Sequence, residues 1–328
     1  MLPYDNDKTR KRGGLQIKLH DEMDGFRTFL LFCFGIISLY ILFHKSGNPI
    51  EKYKVEEATH PFTIKEPMYG NKSLKIVAIG DTHSTYQSYL NLKIPKGDLL
   101  IIAGDMTVDD YAEAAVYGKW INSLPVNHTA IVLGNRDATA DSVTSLKVLE
   151  NSFNGSTLIH NEIIEVMGYR IFGSSYVPNY PDAFQPGDDV KPAVHWATYL
   201  PPDADVDIIV THGPPFGFGD EVRRKGHLGD TELLRAVQAL QKKPMLWICA
   251  HIHESHGVYS VPHPSGDIPL INVAVWELDK GVKSARPWVV QMPEAVISQP
   301  TEEEVMAELG KDFQSYQAPD LLASGIYS

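Results

Sequence analysis

The chain has 328 residues, of which 43% are hydrophobic and 21% charged, an ordinary globular composition sufficient for one large domain or two small ones. Its formal net charge of −12 excludes a nucleic-acid platform, which needs a basic surface to attract phosphates. A phosphate-ester substrate stays open, because bound cations reverse the local field.

Residues 1–27 form a polar leader carrying Lys8, Arg10, Lys11, Arg12, Lys18 and Arg27. Residues 28–43, TFLLFCFGIISLYILF, then run without a charge. We read a transmembrane anchor over 28–45, although the run is a little shorter than the ~20 residues that a ~30 Å hydrocarbon core requires. A buried globular helix and a cleaved signal peptide are the alternatives. The long charged leader and the lack of a small-x-small pattern after Phe43 weigh against the signal peptide. A helix apolar on all sides and isolated between polar segments is hard to bury. The basic flank places residues 1–27 in the cytosol and the main domain in a lumen or outside the cell. Glycosylation sequons at Asn71, Asn127 and Asn154 are compatible with that side. The short span suits a thinner internal membrane such as that of the endoplasmic reticulum or Golgi. If residues 28–43 are a buried helix instead, the protein is cytosolic. The two cysteines, Cys33 and Cys249, both lie in apolar runs, so no disulfide framework is expected.

Residues 46–73 read as a linker, rich in charge and without sustained periodicity. From residue 74 to 295 the pattern is that of an α/β domain. LKIVAIGD, DLLIIAGD, HTAIVLGN, YRIFGSS, DIIVTHG and LWICAH are short runs rich in Ile and Val, each stopping at glycine or a polar residue. This is how buried strands look. Helices are predicted between them over Asp110–Leu124, Asp141–Phe153 and Thr231–Lys242. Residues 296–328 form an acidic tail, with a helix start at Thr301 read as solvated.

Polar groups gather where these strands end. Asp81 and His83 follow the first and Asp105 the second. Asn135, Arg136 and Asp137 follow the third. His212 and then His251 and His253 close the later ones. A single such residue is usually a turn former or a cap. The ordered set GDxH, GD, GN, TH and HxH, each closing an apolar strand, points to one shared dinuclear metal site. In α/β sheets ligands bind at the carboxyl ends of strands, so these positions are expected to converge. Carboxylates, imidazoles and an amide carbonyl without thiolate suit Mn, Fe or Zn. Asp105 is expected to bridge two ions ~3.5–4 Å apart, with a water between them as nucleophile. His227, His256 and His263 are read as loop or rim residues.

This ordered set resembles the calcineurin-like metallophosphoesterases over residues 74–292. THGPPFGFGD, PLINVAVWEL, RIFGSSYVP and the run from Glu232 to Tyr259 are similar to metallophosphoesterase-domain proteins related to class III cyclic nucleotide phosphodiesterases. The resemblance implies a four-layer αββα sandwich. It implies Asp81, His83, Asp105 and His253 around one divalent or trivalent ion. Asp105, Asn135, His212 and His251 would surround the other. Two departures stand out. Arg136 occupies the position where the family has a histidine that contacts phosphate or protonates the leaving group, and Ala250 replaces a common glycine. Arginine grips a phosphate oxygen well but is a poor proton donor. The expected activity is hydrolysis of a small phosphate ester, a phosphodiester first. The alternative is a membrane-tethered metal- and phosphate-binding scaffold with weak turnover.

Overall fold

Residue parity along the apolar runs decides the architecture. In β1, Leu74–Ile79, the side chains of Leu74, Ile76 and Ala78 enter one buried cluster, while Val77 and Ile79 enter another on the opposite face. Successive side chains of a strand point to opposite faces, so a strand buried on both reads as a continuous apolar run. The computed structural model describes residues 73–83, 92–106, 111–137, 149, 151–153, 155–178, 191–275 and 286–310. The leader, the apolar run at 28–45, the sequons at Asn71 and Asn154, and most of the helix predicted over Asp141–Phe153 lie outside those residues. Among the described residues, no helix is long and apolar enough to cross a membrane.

The remaining strands, in chain order, are β2 (Gly97–Ala103), β3 (Val126–Val132), β4 (Ser156–Ile159), β5 (Glu162–Val166), β6 (Tyr169–Ser174) and β7 (Ile208–Thr211). The two-residue strands β8 (Glu221–Val222) and β9 (Gly226–His227) form a small hairpin. They are followed by β10 (Leu246–Cys249), β11 (Gly257–Val261), β12 (Ile268–Asn272), β13 (Trp288–Met292) and β14 (Val296–Ser298). Two six-stranded mixed sheets result, ordered β14-β13-β1-β2-β3-β4 and β11-β12-β10-β7-β6-β5. β1 to β4 run parallel in the first, and β6, β7, β10 and β12 run parallel in the second.

Their inner faces pack together. Ile76, Ala78, Ile101 and Val132 of the first sheet share a core with Ile171, Val210, Ile248 and Ile271 of the second. On the outer face of the first sheet, α1 (Tyr111–Ser123) lays Tyr117, Trp120 and Ile121 on Val77, Leu100 and Ile131. On the outer face of the second, α2 (Pro192–Tyr199) and α3 (Thr231–Gln238) lay Trp196, Leu233 and Val237 on Phe172, Ile209 and Trp247. The layers are therefore helix, sheet, sheet, helix, as the resemblance implied. Asp230 ties the two outer helices together. Its Oδ1 accepts from the Glu232 amide to cap α3, and its Oδ2 accepts from the Trp196 indole at 2.6 Å.

The acidic tail departs from expectation. β14 pairs antiparallel with β13 at the sheet edge, so the domain continues past residue 295. The helix begun by Thr301 is α4, Glu302–Leu309, and Thr301 with Glu304 forms a reciprocal capping box. It is not merely solvated: Val305 and Leu309 are buried, and Glu308 meets Lys75 of β1 at 2.5 Å. The helix predicted to reach Lys242 ends at Gln238.

One contact joins the sheets at the ends of their parallel strands. Gly80, just past β1, donates to the Val273 carbonyl at 3.0 Å and accepts from the Val275 amide at 2.9 Å, a parallel bridge to Ala274 beyond β12. A Cβ on Gly80 would lie 2.7 Å from the Ala250 Cβ, so the junction requires glycine.

Candidate metal centre

The sequence places each chemically interesting side chain a few residues beyond a parallel strand, and the fold brings those strand ends to one region. Asp81 and His83 follow β1, Asp105 follows β2, Asn135 follows β3, His212 directly follows β7, and His251 and His253 follow β10. Four of these residues hold left-handed backbone: Asp81 at φ 50°, His83 at 42°, Asp105 at 51° and His251 at 66°. Non-glycine residues there cost roughly 1–3 kcal/mol each and persist only where the surroundings over-determine them. The surroundings do so here. The Asp81 amide donates to the Gly104 carbonyl at 2.8 Å and the His83 amide to the Asp105 carbonyl at 3.0 Å. The His251 amide donates to Asp81 Oδ2 at 2.7 Å.

Two ligand clusters form. In the first, Asp81, His83 and His253 offer donor atoms within 4.8 Å of one another. His253 Nε2 lies 3.1 Å from Asp81 Oδ1 and 3.2 Å from His83 Nε2. In the second, Asp105, His212 and His251 meet the same limit. His212 Nδ1–H donates to the Ala103 carbonyl at 2.8 Å, which directs Nε2 inward. That Nε2 stands 3.0 Å from Asn135 Oδ1 and 3.3 Å from Asp105 Oδ1. Asp105 is grouped with the second cluster. The geometry around it leaves no room for bulk: a Cβ on Gly134 would lie 2.2 Å from Asp105 Oδ1 and 2.8 Å from His212 Cε1.

These donors fit cations. Two imidazole nitrogens facing each other at 3.2 Å share at most one proton, and a cation between them satisfies both. The inward Nε2 of His212, facing two oxygen acceptors, needs a proton or a metal. Electrostatics agrees. Burial opposes charging His212, but the Asp105 carboxylate, the Asp81 charge and the Ala103 carbonyl together outweigh it and lift the imidazole to about 9. Burial opposes ionising Asp105, yet His212 and the Arg136 amide, 2.8 Å from its Oδ1, hold it well below the usual carboxylate range. Burial, aided by the charge on His212, presses His251 down to about 4. Burial also lowers His83, whereas at His253 the Asp81 hydrogen bond and charge overcome burial and raise it. A carboxylate beside a proton-holding imidazole is a site in which a metal ion displaces a proton.

The three residues after β3 divide their labour. Asn135 is buried and presents its oxygen to His212. Arg136 supplies its amide to Asp105 while its side chain is exposed. Asp137 is fully buried and its Oδ2 accepts from the Gly134 amide at 2.7 Å, closing the turn. Asp137, expected to be catalytic, is buried within the turn that it closes.

Asn272 is a functional residue that the motif reading missed. It is fully buried, and its amide donates to the carbonyls of Gly219 and Ile252, each at 2.9 Å, while its Oδ1 accepts from the Ala274 amide. It clamps the loop between His251 and His253 to the loop following His212. Its signal was a lone amide inside the apolar run PLINVAV. His227, expected in a loop, lies in β9 and pairs with buried Asp220 at 2.7 Å, and His263 reaches the Leu240 carbonyl from a loop.

A family model described as calcineurin-like phosphoesterase matches residues 74–255, a span that contains every ligand above. The chain belongs to the calcineurin-like phosphoesterase family. Within it, the chain is 33% identical over 226 residues to metallophosphoesterase domain-containing protein 1 of Homo sapiens, covering 61% of this chain and 66% of that relative. The match thus spans just under two thirds of the human protein. It is 30% identical over 272 residues to UPF0046 protein K07C11.7 of Caenorhabditis elegans, covering 77% of this chain and 86% of the relative. These relatives place it in the metallophosphoesterase-domain subgroup that the sequence resembles. A solved crystal structure superposes with a TM-score of 0.53 at 13% identity over 70% of this chain and 99% of its own, a likeness of fold.

Proposed function

We propose that this calcineurin-like phosphoesterase is a dinuclear metal-dependent phosphodiesterase. The observation that carries the reading is the pair of ligand clusters, each with one carboxylate and two histidines, set side by side at the strand ends. Two ions held there would polarise a phosphoryl oxygen and make a water nucleophilic near neutral pH. Asp81, His83 and His253 would hold one, and Asn135, His212 and His251 the other, with Asp105 shared. The protein's own part is to fix these donors. The His212 tautomer is set by the Ala103 carbonyl, and the Asp105 orientation is set by the Arg136 amide. The exposed Arg136 guanidinium is suited to bind a phosphate oxygen through two N–H bonds, and it does not supply a proton at neutral pH. Esters with good leaving groups, which need no proton, are the substrates this set of groups favours.

Assay of the purified protein with bis(p-nitrophenyl) phosphate and added Mn²⁺ tests the proposal. Metal-dependent release of nitrophenol that is lost in His253→Ala supports it. Tight metal and phosphate binding without turnover would favour the second reading, a tethered scaffold, which rests on Arg136 standing where the family's acid is expected. We also propose that the chain is anchored in a membrane. The uncharged run 28–43 behind a basic leader supports a single membrane anchor with the catalytic domain lumenal or extracellular. Asn127, exposed on β3, is one sequon open to a glycan. Glycosidase treatment that leaves the electrophoretic mobility of the cell-expressed protein unchanged counts against lumenal placement.

A further inference from the structure

The family model stops at residue 255, but the groups that hold the first ligand cluster in place extend beyond it. His256 ends the short 3₁₀ turn His253–Ser255, and its amide donates to the His253 carbonyl at 3.3 Å. Its ring is half-buried and lies beside Trp288 of β13, with centroids 5.4 Å apart and planes tilted by 32°. Nδ1–H donates to the Ala274 carbonyl at 2.7 Å, so Nε2 is an acceptor. Gln299 fills that acceptor from its Nε2 at 2.9 Å, and the same amide donates to the Arg286 carbonyl at 2.8 Å. Arg286 reaches back to the Pro300 carbonyl at 3.1 Å, and Thr301 begins α4 immediately afterwards. Ala274 is the residue bridged to Gly80, which precedes Asp81.

The chain of bonds therefore runs from the C-terminal segment to both sides of one ligand cluster. It reaches His253 through the turn that His256 closes, and Asp81 through Ala274 and Gly80. Its links to the second cluster are less direct: the Ala274 amide donates to Asn272 Oδ1, and the His251 amide donates to Asp81 Oδ2. We propose that Gln299 is a positioning residue for the Asp81–His83–His253 cluster, and that the C-terminal segment selectively tunes metal affinity at that cluster. Groups that orient metal ligands from outside the coordination sphere are typically worth about 10–100-fold in metal affinity. The proposal rests on the reading that both clusters bind metal.

Calorimetric titration of Mn²⁺ into the metal-stripped full chain tests it. Wild type is expected to bind two ions. In a His212→Ala background, which leaves the first cluster, adding Gln299→Ala should weaken the remaining ion by about tenfold or more. In a His83→Ala background, which leaves the second cluster, the same change should leave affinity within about twofold. Gln299→Met, which keeps the side-chain length but has no donor, should behave as Gln299→Ala, and guards against a loss through poor folding. Equal weakening in both backgrounds, or none in either, overturns the positioning role. A wild type that binds fewer than two ions overturns the dinuclear reading and this proposal with it.

Discussion

His251 and His253 stand one residue apart and serve different carboxylates. The His253 ring meets Asp81 at 3.1 Å, while the His251 ring joins Asp105 and His212 and its backbone amide donates to Asp81. The separation follows from the backbone. His251 sits at φ 66°, which ends the extended run of β10 and turns the chain into the His253–Ser255 turn. Two neighbouring imidazoles thereby reach two clusters.

That division has a stoichiometric consequence. His251→Ala and His253→Ala should each reduce bound metal from two ions per chain to one, not to zero. Elemental analysis of the dialysed variants checks this. Loss of both ions from either variant would show that the clusters are not separable.

Arg136 is argued to bind phosphate without donating a proton. Arg136→Ala removes a charge-assisted contact worth roughly 1.5–3 kcal/mol, so KM should rise by about tenfold to a hundredfold. Arg136→His should raise kcat on esters with poor leaving groups more than on nitrophenyl esters. Steady-state kinetics over a leaving-group series measures both. A fall in kcat that is uniform across the series contradicts the assignment.

Metal loading should be coupled to protons. In the metal-free protein His212 is raised to about 9, so it keeps its proton at neutral pH and a metal must displace it. Affinity should therefore fall as the pH drops below about 9, by up to tenfold per unit for this one proton. The same raised value adds stability to the metal-free fold. That contribution is complete below the ordinary histidine value of about 6.5 and is lost as the pH rises through about 9. Titrations in buffers of different ionisation enthalpy at pH 7.5 should report proton release, and the release should vanish above about pH 10. Release that does not change across that range would remove His212 as its source.

Asn272 links two site loops from the buried interior. Asn272→Ala leaves the carbonyls of Gly219 and Ile252 without this donor, at about 1–3 kcal/mol for each group left unsatisfied. Urea unfolding of the metal-free protein should show a loss of about 2–6 kcal/mol. An effect under about 0.5 kcal/mol, the range of ordinary surface substitutions, would mean that the clamp is dispensable.

The strands that carry the site were legible because they are buried on both faces. LKIVAI, LLIIA and LWIC show no alternation to confuse with a helix, and each is followed within two residues by a glycine or polar residue. The edge strands escaped for the opposite reason. β5, EIIEV, is mostly half-exposed, and β11, GVYSV, alternates buried and half-buried, so neither forms an apolar run. The seven candidate donors, six of which fall into the two clusters, were readable from residue type and order. Asn272 and Gln299 were not, because each acts by hydrogen bonds to partners distant in the chain. Asp137 was legible in GNRD as a polar group near the site, but its hydrogen bond to the Gly134 amide was not.

Asp105 is proposed to be shared by two cations. Anomalous diffraction at the manganese edge from crystals grown with Mn²⁺ tests it most directly. The account predicts two peaks ~3.5–4 Å apart, one beside Asp81, His83 and His253 and the other beside Asn135, His212 and His251, with the Asp105 carboxylate touching both. A single peak, or two peaks of which only one is in contact with Asp105, would contradict it.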